Sequence, residues 1–200
     1  MSNETYKQNR QNIESMRVFI ALDLSEEAKE TVYNSILKII NSEKSVLKIV
    51  KKDQLHITLF FFPNINEEKL ENLYNIIDNI KINPFKIKIK GINTFNLKSP
   101  KILFLNLIDQ SNSILYLYNL LKNNAIENGA IVEHKDFNPH ITIARVKRDA
   151  KFIDYKKISE IISKSAEIDF GEFVCDEIKV FKSRLTQKGP IYNALHKKVL

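Results

Sequence analysis

Two units of the same chemistry, His56-Ile57-Thr58-Leu59 and His140-Ile141-Thr142-Ile143, lie 84 residues apart in the chain. Each sits in a run rich in β-branched and aromatic residues, LHITLFFFP and PHITIARV, that reads as a strand. Side chains along a strand alternate between faces, so each unit sets its histidine and threonine on one face and its two aliphatic residues on the other. Such a strand needs a buried back and leaves a polar front. With four histidines and six threonines in 200 residues, two His-x-Thr spacings arise by chance about once in 200 trials. Two strand-bearing halves with a shared use for their fronts are the simplest fold to expect.

The remaining pattern agrees. MRVFIALDL (Met16 to Leu24) reads as the opening strand, and Ser25 as the cap of a helix carrying Val32, Ile36, Ile39 and Ile40. A strand over Val46 to Val50 leads to His56. Asn66 caps a helix with Leu70, Leu73, Ile77 and Ile80 at helical spacing. FKIKIKGI and KILFLNLI alternate as paired strands, and a third helix spans Ser111 to Glu127, terminated by Gly129. The His140 strand and a helix near Asp149 to Ser163 follow. FVCDEIKVFKSRL and IYNALHKKVL then read as two long closing strands. Strands gather between single helices, which predicts an α+β fold with antiparallel sheets.

Residues 1–15 are polar, aperiodic and precede a second methionine, so they read as a disordered tail or a start-site artefact. Residues 16–200 form one domain. No apolar run approaches the ~18 residues of a membrane span, and no signal-peptide core is present. Cys175 is the lone cysteine, which excludes an internal disulfide and suits the cytoplasm. The net charge of +7 fits an anionic partner such as RNA, or an AT-rich coding bias toward Lys, Asn and Ile. The lysines are scattered, so charge does not choose between them.

Chemistry narrows the choice. Histidine titrates nearest neutrality, so one ring can accept a proton while another donates one. A neighbouring threonine hydroxyl can bond a phosphate oxygen. Together these groups suit in-line displacement at a phosphodiester with no metal and no cofactor. Metal binding is the competing use, with Asp136 and His134 near the second unit, but their spacing fits no metal signature.

Two H-x-T-hydrophobic motifs at this separation resemble the 2H phosphoesterase superfamily, and within it the RNA 2',3'-cyclic phosphodiesterase group, also called 2'-5' RNA ligases. MRVFIALDLSEEAKE is similar to that group's opening strand and helix, FNPHITIAR to its second motif, and SRLTQKGPIYNAL to its closing hairpin. The resemblance covers roughly Met16 to Leu200 and implies a bilobal α+β fold. Two antiparallel sheets with flanking helices would stand in pseudo-twofold symmetry around a central cleft. It implies hydrolysis of RNA 2',3'-cyclic phosphate ends to 2'-phosphomonoesters, with His56 protonating the departing 3'-oxygen and His140 deprotonating water; separately, a monomer is the expected state. Thr58 and Thr142 would hold phosphate oxygens, joined by Arg145.

Arg145 falls on the face opposite His140 under strict alternation, so its role requires a bulge. Phe60 takes a position where the group carries a basic residue. It shares the His56 face under alternation, as a base-stacking ring or as a core aromatic. Tyr192 matches a cleft position or is a packed hairpin residue. His134 and His196 match no motif. Two other functions fit the same residues: an RNA-end-binding module without turnover, and a 2'-5' RNA ligase or another cyclic or 2'-5' phosphodiesterase.

Overall fold

The structure is a computed structural model describing residues 15–131, 137–187 and 189–200. Most of the expected tail (residues 1–14), and both His134 and Asp136, lie outside the described residues. The described chain runs β1 (Met16–Asp23), α1 (Glu26–Ile40), β2 (Leu47–Ile49), β3 (His56–Ile65), α2 (Glu67–Asp78), β4 (Phe85–Asn93) and β5 (Ile102–Ile108). It continues with α3 (Ser113–Glu127), β6 (His140–Val146), α4 (Phe152–Ser165), β7 (Asp169–Cys175), β8 (Glu177–Thr186) and β9 (Gly189–Val199).

The helices begin where side chains satisfy their first free amides. Ser25 Oγ accepts from Ala28 N at 3.1 Å, and Asn66 Oδ1 from Lys69 N at 2.9 Å. Behind the caps, the apolar stripes are buried as their spacing requires: Val32, Ile36 and Ile40 on α1, Leu70, Leu73 and Ile77 on α2. Beyond α3, Gly129 adopts φ +93°, and its N–H reaches the Ile126 carbonyl at 2.9 Å.

All strand pairs are antiparallel. Half-sheet β3-β1-β8-β9 meets half-sheet β6-β5-β4-β7, with β2 also on β6, where Ile57 pairs with Ile141. The two sheets implied by the resemblance are thus two halves of one continuous sheet, each with its His-x-Thr strand innermost. The halves exchange helices. α1 leaves β1 of the first half yet packs on β7 of the second, beside α4 on β4. α3 leaves β5 of the second half and stacks Tyr118 on Phe60 of β3, ring centroids 4.7 Å apart, alongside α2. Each half therefore helps to cover the back of the other.

One expected element is corrected. FVCDEIKVFKSRL is two strands, broken at Asp176: β7 pairs with β4 in one half and β8 with β1 in the other. Asp176 marks the crossing, its carbonyl accepting Leu200 N at 2.8 Å. The crossing brings the chain back beside β1 and allows β9 to close the first half. The second half closes on a tight approach at Gly91, where φ is +75° and a Cβ would collide with the Ala166 carbonyl oxygen. Gly91→Ala is expected to cost about 2 kcal/mol, read as a lowered urea midpoint, because both the left-handed backbone and that contact resist a side chain.

Candidate active site

Pairing of Ile57 with Ile141 decides where the motifs point. In an antiparallel ladder the residues on either side of a paired position face away from it together, so His56, Thr58, His140 and Thr142 share one face. Ile57 and Ile141, both 0% exposed, are clamped in the core behind them. The two histidines also sense each other, since a charge on His140 opposes one on His56.

Both rings are held alike. His56 Nδ1 lies 2.7 Å from the Gln54 carbonyl and His140 Nδ1 2.9 Å from the Asn138 carbonyl, in each case two residues back. A carbonyl only accepts, so in each ring Nδ1 carries the hydrogen and Nε2 is the nitrogen that can gain or lose a proton. His56 Nε2 lies 3.0 Å from Thr58 Oγ1. Aromatic rings fix the planes. His56 stacks on Phe19 at 4.8 Å with Tyr192 edge-on at 5.6 Å; His140 leans on Phe104 at 4.9 Å with Phe95 edge-on at 5.2 Å. Each imidazole thus has one buried ring beneath it and one ring standing against it.

The cross-strand neighbours break this symmetry. Opposite His56 stands Asp23, buried and bonded to Lys29 Nζ at 2.9 Å and Lys179 Nζ at 2.6 Å. Opposite His140 stands the uncharged Asn106. Burial, foremost, lowers His56 to a pKa of about 4. The Gln54 carbonyl and Asp23 pull it up, while Lys29 and His140 push it down. Burial therefore favours the neutral form of His56 at pH 7.

Matching bulges follow both motifs. On β6, Leu103 pairs with Ala144 and Phe104 with Thr142, so Ile143 is an extra residue. Ile143 and Ala144 are both buried, and Arg145 emerges on the face of Phe104 and His140. The bulge that Arg145 required is present. On β3, Ile20 pairs with Phe60 and Ala21 with Thr58, leaving Leu59 extra. Phe60 accordingly turns into the core, 2% exposed against Tyr118, which corrects its expected place on the His56 face. Phe61 takes that face, opposite Phe19, with the Arg17 guanidinium 4.9 Å above its ring.

Tyr192 stands in the site, its hydroxyl pKa raised by burial against the opposing charges of Arg145 and Arg17. His196 lies elsewhere, bonded to Asp78 at 2.8 Å and stacked on Tyr74 at 4.5 Å. Among the described residues no three His, Cys, Asp or Glu side chains gather to share an ion. Phe19, Phe104, Phe95, Asp23 and Asn106 are site residues that sequence reasoning missed. The strands holding Phe19 and Phe104 are apolar on both faces, so their alternation carries no signal. Asp23 sits one strand over from His56, which only pairing reveals.

The chain and its fold are similar to known proteins. The chain is 36% identical over 183 residues to the RNA 2',3'-cyclic phosphodiesterase of Methanocaldococcus jannaschii, covering 90% of this chain and 98% of that one. It is 32% identical over 181 residues to the protein of the same name from Archaeoglobus fulgidus, at the same coverage. The fold superposes on Escherichia coli LigT complexed with 3'-AMP with a TM-score of 0.75 at 21% identity, covering 94% of this chain and 99% of that one. A family model described as the AKAP7 2'5' RNA ligase-like domain matches residues 18–198, from β1 to β9 and through both histidine strands. The chain belongs to the 2'5' RNA ligase-like family of 2H phosphoesterases.

Proposed function

We propose that this chain hydrolyses the 2',3'-cyclic phosphodiester end of RNA to a 2'-phosphomonoester by metal-independent acid–base catalysis. One observation carries the reading: the Ile57–Ile141 pair sets two His-x-Thr units on one face, each imidazole anchored through Nδ1 with Nε2 as its reactive nitrogen. Curated relatives named RNA 2',3'-cyclic phosphodiesterase support the substrate.

His140 Nε2 takes a proton from water as its oxygen bonds to phosphorus. The bond to the 3'-oxygen breaks opposite, and His56 Nε2 donates a proton to that oxygen. Thr58, Thr142 and Arg145 hold the non-bridging oxygens, where charge accumulates. His56 must be protonated to act so, although burial favours its neutral form. The bound phosphate anion resolves this: its charge favours the imidazolium, so substrate enters together with a proton. Acid and base each contribute roughly 10²–10⁴-fold. Binding alone needs no pair of titratable rings. A 5'-hydroxyl in place of water would turn the same atoms to 2'-5' ligation.

The test is incubation of cyclic-ended RNA with the protein in excess chelator, with products identified by phosphorus NMR. A 2'-phosphomonoester is expected. A 3'-phosphomonoester, or none, contradicts the reading, and a joined product on adding 5'-hydroxyl RNA indicates ligation. We place the protein in the cytoplasm as a monomer. Cys175 suits that compartment, being buried with its thiol pushed up to about 12 by burial, far from the reactive thiolate.

A further inference from the structure

Lysines on the outer strands of the second half have carboxylates beside them: Lys86 with Glu172, Lys88 with Asp169, Lys90 with Glu167. Three cations on strands that flank the candidate site, Arg17, Lys48 and Arg145, do not. Among the described residues, none of the ion pairs takes up Arg17, Lys48 or Arg145.

Lys48 and Arg145 are direct cross-strand partners of β2 and β6, both exposed, and like charges at that position repel. The Lys48 ammonium lies beside Gly189 at the end of the β8–β9 hairpin. That end is tied to the His56 motif, Gln54 Nε2 donating to the Pro190 carbonyl at 2.7 Å. Three residues past Gly189, Tyr192 stands against His56, and the charges of Arg145 and Arg17 both reach its hydroxyl. The unpaired cations therefore lead outward from the candidate site. One reacting phosphate, already served by two threonines and Arg145, has no use for Lys48 and Arg17.

We propose that Lys48 and Arg17, continuing from Arg145, hold backbone phosphates of the RNA beyond its reacting end, so that the substrate is a cyclic-ended oligonucleotide in preference to a cyclic mononucleotide. This rests on the proposed function. A strand with its reacting phosphate on Arg145 and a backbone phosphate on Lys48 offsets their repulsion, and each contact releases counterions from the strand.

The test compares adenosine 2',3'-cyclic phosphate with a cyclic-ended tetranucleotide, for wild type, Lys48→Ala, Arg17→Ala and, as a charge control, Lys86→Ala. Lys48→Ala and Arg17→Ala are each expected to raise the tetranucleotide KM about fivefold at 0.1 M salt. The slope of log affinity on log salt should flatten by about 0.7. Mononucleotide turnover and the Lys86→Ala values should stay at wild-type levels. An unchanged tetranucleotide KM and salt slope, or an equal loss on the mononucleotide, overturns the proposal. If wild type turns over neither compound, the hydrolysis reading fails, and fluorescence anisotropy of a labelled tetranucleotide bearing a 2'-phosphate still decides the phosphate track. Binding weakened by Lys48→Ala then supports it, and unchanged binding refutes it.

Discussion

His56→Ala and His140→Ala are each expected to slow turnover of cyclic-ended RNA by roughly 10²–10⁴-fold, with circular dichroism still reporting the folded chain. In the proposed reaction the two imidazoles act on opposite oxygens of one phosphorus, so removing either leaves the other without a partner reaction. The double variant should therefore fall little below the slower single one, as groups acting as a unit are not additive. A KM near the wild-type value is expected for His140→Ala, because the threonines and cations proposed to bind the phosphate remain. Full activity in either variant would remove the acid–base pair, and losses that multiply in the double variant would make the two histidines independent.

The second large effect concerns pH and stability. His56 titrates at about 4 in the folded chain and near 6.5 when unfolded. Between those values the unfolded chain binds a proton that the folded chain refuses, so stability rises with pH across this window. The contribution is complete above about pH 6.5, is lost as pH falls, and levels off below about 4, a total of about 3 kcal/mol. By pH 5 about 2 kcal/mol should have gone. Urea midpoints of wild type and His56→Asn at pH 7.5 and 5 check this. The variant should show the flatter dependence, and equal slopes would mean that burial does not depress His56. The same property predicts proton uptake when a nucleoside 2'-monophosphate binds, measurable by calorimetry in buffers of different ionisation enthalpy.

Much of this was legible in the chain because it depends on local spacing. The caps at Ser25 and Asn66, the buried helix stripes and the shared face of each His-x-Thr unit follow from periods of 3.6 and 2. What escaped depends on strand partners. The bulges after Thr58 and Thr142 are silent, since Leu59-Phe60 and Ile143-Ala144 pass for core residues in either register. Phe60 was misplaced for that reason. Arg145 was recoverable, because a charged residue on the wrong face signals a bulge. The break at Asp176 lies inside an unbroken run of strand-forming residues, so only its two sets of partners reveal it. The exchange of α1 and α3 between halves leaves no local trace, and the Asp23–Asn106 asymmetry follows from pairing alone.

A single phosphorus centre served by both imidazoles is best tested by nitrogen-15 NMR of the histidine side chains during titration with a nucleoside 2'-monophosphate. His56 and His140 should both shift at Nε2, saturating at one ligand concentration, while both Nδ1 atoms keep their hydrogens on the Gln54 and Asn138 carbonyls. A response from only one ring, or two responses saturating separately, would show that the histidines do not share a phosphate.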